Sequence, residues 1–117
     1  MTDGRNIPPF PDQALPGLTV TKRLHAVPIV SMDTITRMEG FDKLTPEQQD
    51  AVLYNQENFV GLSETAIASK GSKSFGDWTR YKTAGIDVDP VFRQRMRQEE
   101  TRVIRLLQQQ IDDFLKV

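Results

Sequence analysis

A chain of 117 residues, 38% hydrophobic and 26% charged with a formal net charge of −1, supports one modest core and excludes wholesale disorder. It has no cysteine, which removes disulfides and thiolate metal sites, and no apolar run near the ~20 residues that span a bilayer. No basic region followed by an apolar stretch opens the chain, so no ordinary signal peptide is expected and any export takes another route.

Residues 1–17 hold Pro8, Pro9, Pro11, Pro16 and Gly17 among polar residues, which cannot continue a helix or donate a full strand ladder. They read as an extended leader, either a linker from a larger protein or an arm packed on a domain spanning residues 18–117. Residues 18–30 form the best strand region: Leu18, Val20 and Lys22 alternate with Thr19, Thr21 and Arg23, and Val27, Ile29 and Val30 resume after His25. Pro28 forbids a central ladder position, so the strand should turn or end near it. Residues 32–38 suit a short helix that Gly40 stops.

Thr45-Pro46-Glu47-Gln48 is a helix start, with Thr45 as N-cap, Pro46 at the first helical position and Gln48 completing a capping box. That helix should reach Tyr54 or Asn55 and bury Val52 and Leu53, with Tyr54 a further candidate. Residues 58–62 read as a second short strand. Ser63 then caps a helix over residues 64–70 that Gly71 ends, and residues 77–82 add a further turn. Asp89-Pro90 opens the longest helix, running nearly to Val117. Its apolar residues Phe92, Met96, Val103, Leu107, Ile111, Phe114 and Leu115 recur at threes, fours and sevens, the mark of one buried stripe. The pattern is a small α+β domain: a two-stranded element with a helix against it, flanking helices and a long C-terminal helix.

Charge is distributed unevenly along this nearly neutral chain. Residues 66–82 carry Lys70, Lys73, Arg80 and Lys82 against Asp77 alone. Residues 93–105 carry Arg93, Arg95, Arg97, Arg102 and Arg105 against Glu99 and Glu100. Such stretches fit a phosphate-facing side or a solvated helix face. Arg95, Arg102 and Arg105 can track a phosphate backbone or pair with acids such as Glu99 at helical spacing. Phe75 and Trp78 flank the first basic segment, where aromatics either stack on unpaired bases or fill a core.

His25 is the single histidine, placed between a strand and a proline bend that can project its side chain from a fixed backbone. A phosphodiester-cleaving site needs a base near neutral pH, which histidine supplies, and positive charge to stabilise the developing negative charge on phosphorus. Ordered after it come Gly40-Phe41, Leu44-Thr45-Pro46-Glu47-Gln48, Glu57-Asn58-Phe59, Ser69-Lys70-Gly71 and Trp78.

With His25-Ala26-Val27-Pro28 at its head, this series resembles the HNH, or ββα-metal, nuclease superfamily. It is most similar to the branch found as C-terminal toxin domains of polymorphic and Rhs-type bacterial effectors. The resemblance covers about half the chain in the correct order. It implies an HNH-like core, His25 as general base, Asn58 holding the His25 loop, and Arg23, Lys70 and Lys73 as nucleic-acid contacts. It also implies a divalent cation (Mg, Mn or Zn), DNA as substrate, a cognate immunity protein, a larger delivery protein N-terminal to the domain, and action in the cytoplasm of a target cell. Two positions depart from the pattern. Leu24 and Ile67 stand where members carry metal ligands, and neither alkyl chain has a lone pair. Glu64, the one carboxylate on the motif helix, is the tentative ligand, with a helix-dipole role in the first turn as its other reading. Three functions follow: an HNH-like endonuclease of the toxin or effector type, a degenerate HNH-fold module that binds nucleic acid or a protein without cleavage, or an interaction domain with no nucleic-acid role that docks through the long amphipathic helix.

Overall fold

The computed structural model describes residues 7–116. It is a small mixed α+β structure of short strand pairs and a long C-terminal helix. In order, the elements are β1 (Phe10–Pro11), β2 (Thr19–Val20), β3 (His25–Pro28), α1 (Met32–Thr36), α2 (Pro46–Leu53), β4 (Phe59–Leu62), α3 (Glu64–Lys70), β5 (Arg80–Tyr81), β6 (Ile86–Asp87) and α4 (Pro90–Leu115). The strands form three two-stranded sheets, β1–β2, β3–β4 and β5–β6. The first and last are antiparallel, with Phe10 opposite Val20 and Arg80 opposite Asp87. The chain divides into two compact units, residues 7–27 with 60–97 and residues 28–59 with 98–116.

The first unit is built on Trp78, Phe75, Leu15, Leu62, Ala66, Phe92 and Met96, all nearly or fully buried. Phe75 meets Phe92 edge-on at 6.0 Å and Trp78 at 6.4 Å between ring centres. Such pairs contribute about 0.5–1.5 kcal/mol each beyond the area they bury. The Trp78 indole N–H donates to Ser69 Oγ at 2.9 Å. Both aromatics of the basic segment are therefore core residues, out of reach of a nucleic-acid base.

From residues 7–17, Ala14 and Leu15 enter this core. Ala14 and Leu15 are fully buried, and Pro16-Gly17 makes a tight turn in which Leu18 N–H bonds Leu15 O at 3.2 Å. Gly17 takes φ 90, the value a glycine at the third position of a type II turn supplies without strain. Asp12 fastens the arm: Oδ1 accepts the N–H groups of Ala14 (2.9 Å) and Leu15 (3.1 Å), and Oδ2 accepts the Ser63 hydroxyl. Residues 1–6 of the expected leader lie outside the described residues.

In the second unit, α2 starts as its sequence dictates. Thr45 Oγ1 accepts Gln48 N–H at 3.2 Å, and Gln48 Oε1 accepts Thr45 N–H at 3.0 Å. Val52 is fully buried and Leu53 half-buried, but Tyr54 sits at the C-cap and is exposed. The expected helix over residues 32–38 closes at Thr36, and a 3₁₀ turn, Phe41–Lys43, follows. Buried apolar residues of this unit include Ile29, Val30, Ile35, Phe41, Leu44, Val52, Val103, Leu107 and Ile111.

Three expectations need correction. The strand over residues 18–30 is two separate pieces, because residues 21–24 leave the ladder between β2 and β3. Within residues 77–82, Arg80–Tyr81 instead form the first strand of the β5–β6 hairpin, while Asp77 and Lys82 do lie in turns. The apolar stripe of α4 is buried at Phe92, Met96, Val103, Leu107 and Ile111, whereas Phe114 and Leu115 reach solvent at the C-terminal end of the helix.

Candidate functional site

β3 begins at His25, and its imidazole is about half exposed, so water and a ligand can reach it. α3 begins one residue after its N-cap, Ser63, whose Oγ accepts Ala66 N–H at 3.0 Å, and its first residue is Glu64. These two element starts bring His25 Nε2 to 3.3 Å from Glu64 Oε1. A carboxylate oxygen only accepts, so this hydrogen bond puts the proton on Nε2 and leaves the lone pair of the neutral imidazole on Nδ1. Among the described residues Nδ1 has no hydrogen-bond partner. Lys22 Nζ lies 3.8 Å from Glu64 Oε2, an exposed pair of opposite charges that adds little stability.

Glu64 and Thr65 line two clefts of the first unit. One, of about 310 Å³, is lined also by Lys22 and Arg23. The other, of about 600 Å³, runs between α3 and the β5–β6 hairpin and carries Lys73, Arg80 and Lys82. Lys70 is placed differently: its ammonium lies 4.8 Å over the Phe75 ring, a cation–π contact at the end of α3.

Asn58 lies in the second unit and is fully buried. Its Oδ1 accepts Val30 N–H at 2.7 Å and its Nδ2 donates to Val30 O at 2.9 Å, while its own carbonyl accepts Ile29 N–H at 2.7 Å. Asn58 thus fixes the two residues that follow β3 in its own unit. Leu24, beside His25, packs against Gly61, whose Cα hydrogens leave room that a Cβ would fill at 3.1 Å from Leu24 Cδ1. Ile67 packs against the core of the first unit. Both departures from the family pattern are therefore packed hydrophobic side chains.

A resident metal is poorly served by these residues. Among the described residues no three of histidine, cysteine, aspartate and glutamate stand close enough to hold an ion. His25 and Glu64 offer two donor side chains, short of the three that a catalytic zinc ordinarily uses, whereas magnesium is commonly held by one or two carboxylates with water and substrate phosphate.

The arginines of α4 are largely committed to protein groups. Arg95 donates to Gln13 Oε1 at 3.0 Å, and Arg102 holds Glu99 (2.8 Å) and Glu57 (3.0 Å). Those hydrogen bonds, Glu99 first and Glu57 second, raise the Arg102 pKa above its already high ordinary value. For Arg102 the pairing reading prevails over the phosphate-tracking one. Sequence reasoning had not singled out Lys22 or Asp12. Asp12 does carry a signal, since an aspartate two residues before a buried pair and a Pro-Gly turn is a common Asx cap.

No family model matches the chain, and no curated protein or solved structure is similar to it at a meaningful level.

Proposed function

We propose that the protein is an HNH-like endonuclease domain in which His25 is the general base for phosphodiester hydrolysis. The observation that carries this reading is the contact between the half-exposed His25 imidazole and the Glu64 carboxylate. The order of elements adds support: β3 headed by His25, β4 paired to it, then α3 ending at Lys70-Gly71 follows the strand–strand–helix plan of that superfamily.

In the reaction, Nδ1 of His25 accepts a proton from water as the water oxygen bonds to phosphorus. The bond from phosphorus to the leaving sugar oxygen breaks, and that oxygen takes a proton from solvent, giving a phosphomonoester and a hydroxyl. Glu64 holds the imidazole in the reactive tautomer and stabilises the imidazolium. Lys22 and Arg23 face the negative charge on the phosphoryl oxygens. DNA as substrate, a toxin or effector role against a competing bacterium, a cognate immunity protein and a larger delivery protein come with the family resemblance, as does action in a target-cell cytoplasm. No helix of the described residues is long and apolar enough to cross a membrane.

Plasmid nicking by the purified chain, with Mg, Mn, Zn or EDTA and beside His25→Ala, tests the reading. Cleavage that disappears in the variant supports it; intact plasmid under every condition with folded protein rejects it. The shortage of metal donors favours one rival, a nucleic-acid-binding module without cleavage, which predicts that second result together with retained binding.

A further inference from the structure

The cleft between α3 and the β5–β6 hairpin is lined by cations, hydroxyls, one aromatic ring and Glu64, and apart from Glu64 nothing in the reaction above uses it. Its volume of about 600 Å³ is that of a ligand site. Of its three cations, Arg80 is committed to Asp87 across the hairpin. Lys73 and Lys82 have no ion-pair partner among the described residues, and both are exposed. The one carboxylate in the lining, Glu64, is already engaged by His25 and Lys22. The cleft therefore presents two uncompensated positive charges, and Tyr81, half-buried at its wall, adds a ring face.

We propose that this cleft binds single-stranded nucleic acid, with Lys73 and Lys82 meeting its phosphates and Tyr81 taking a base. A positive groove with an aromatic platform is the general form of a single-strand site. A duplex, by contrast, is a convex cylinder that proteins read by inserting a protruding helix or ribbon, and a concave cleft has nothing to insert. The proposal deepens the nuclease reading and rests on it for the fate of the strand, since Glu64 joins the cleft to His25.

The test is fluorescence anisotropy with labelled dT12, rU12 and a 12-base-pair duplex, using the full chain carrying His25→Ala so that cleavage is not involved. Lys73→Ala/Lys82→Ala should weaken single-strand binding roughly tenfold or more and lower the slope of log K against log salt by about 1.4, two phosphates at 0.7 each. Lys43→Ala/Lys116→Ala, the same charge change in the other unit, should leave binding within about twofold. Tyr81→Leu should weaken single-strand binding at least fivefold. Equal losses in the two lysine pairs, or tighter binding of the duplex than of both strands, would overturn the proposal. Comparison of dT12 with rU12 tells which sugar the cleft prefers. A cleft that behaves as stated beside plasmid and single-stranded DNA that both stay intact with the parent chain retires the nuclease reading alone; His25-dependent cleavage with no special effect of Lys73 and Lys82 retires the cleft alone.

Discussion

Asn58 gives both ends of its side-chain amide to one residue, Val30, accepting the N–H at 2.7 Å and donating to the carbonyl at 2.9 Å. Val30 is 4% exposed and Asn58 not at all, so neither backbone group has water as a substitute. Asn58→Ala orphans both, at a cost of about 2–4 kcal/mol, since a buried unsatisfied backbone group costs ~1–3 kcal/mol. Thermal unfolding should fall by on the order of 10 °C or more. Asn58→Asp keeps the acceptor but sets a buried carboxylate oxygen against the Val30 carbonyl oxygen, and at neutral pH should destabilise at least as much as Asn58→Ala. An Asn58→Ala protein as stable as the parent would remove this clamp as the reason for the residue.

Asp12 performs the corresponding task in the other unit. It accepts from Ala14, Leu15 and Ser63, so one carboxylate ties the N-terminal arm to the residue that caps α3. Asp12→Ala should cost about 2–4 kcal/mol through lost capping and orphaned N–H groups. Ser63→Ala should cost less, about 1 kcal/mol, because it removes one cap. Their double variant should cost less than the sum of the two, as coupled partners do. Strict additivity, measured by urea unfolding, would show that the bond between them contributes nothing. Removing residues 1–17 should unfold the first unit, because Ala14 and Leu15 leave its core.

Gly40 adopts φ 85, and a Cβ there would stand 2.7 Å from Leu115 Cδ1 and 3.1 Å from Ile111 Cγ2. Gly40→Ala therefore combines backbone strain with a clash, together about 1–3 kcal/mol. The Leu115 side chain is partly exposed and can move, while Ile111 is buried. Adding Leu115→Ala to Gly40→Ala should recover a minor share of the loss, leaving the backbone strain and the Ile111 contact. Full recovery in the double variant would make the Leu115 clash the whole effect.

Local signals in the sequence were legible where one side chain acts on its own neighbourhood. Thr45 with Gln48 set the start of α2, and Ser63 and Gly71 bracketed α3 at the bounds the structure shows. Two-residue strands carry no periodicity, which is why the β5–β6 hairpin and the break after Val20 escaped. The arm of residues 7–17 is held by Asp12 and Ser63, 51 positions apart, a pairing that no sequence window contains. The candidate site divides in the same way. His25 and Glu64 each had a chemical reading, but their meeting across 39 residues, and the neutralisation of Arg80 by Asp87, belong to the folded chain. The exposure of Tyr54 likewise follows from its place at the C-cap of α2 rather than from its hydrophobicity.

The role of Glu64 separates the proposed chemistry from simple charge in the cleft. Glu64→Gln keeps the length of the side chain and lets an amide oxygen accept from Nε2, but it removes the charge that stabilises the imidazolium. Plasmid nicking should fall roughly ten- to a hundredfold, a share of what general-base catalysis contributes. Because a negative charge leaves the surface proposed to face phosphate, binding of dT12 should stay equal or tighten, with Lys22 released from its partner. A loss of rate with unweakened binding is the signature of a residue acting on His25. A variant that nicks as fast as the parent would leave His25 without an orienting partner, and one that loses rate and binding together would make Glu64 a structural residue of α3.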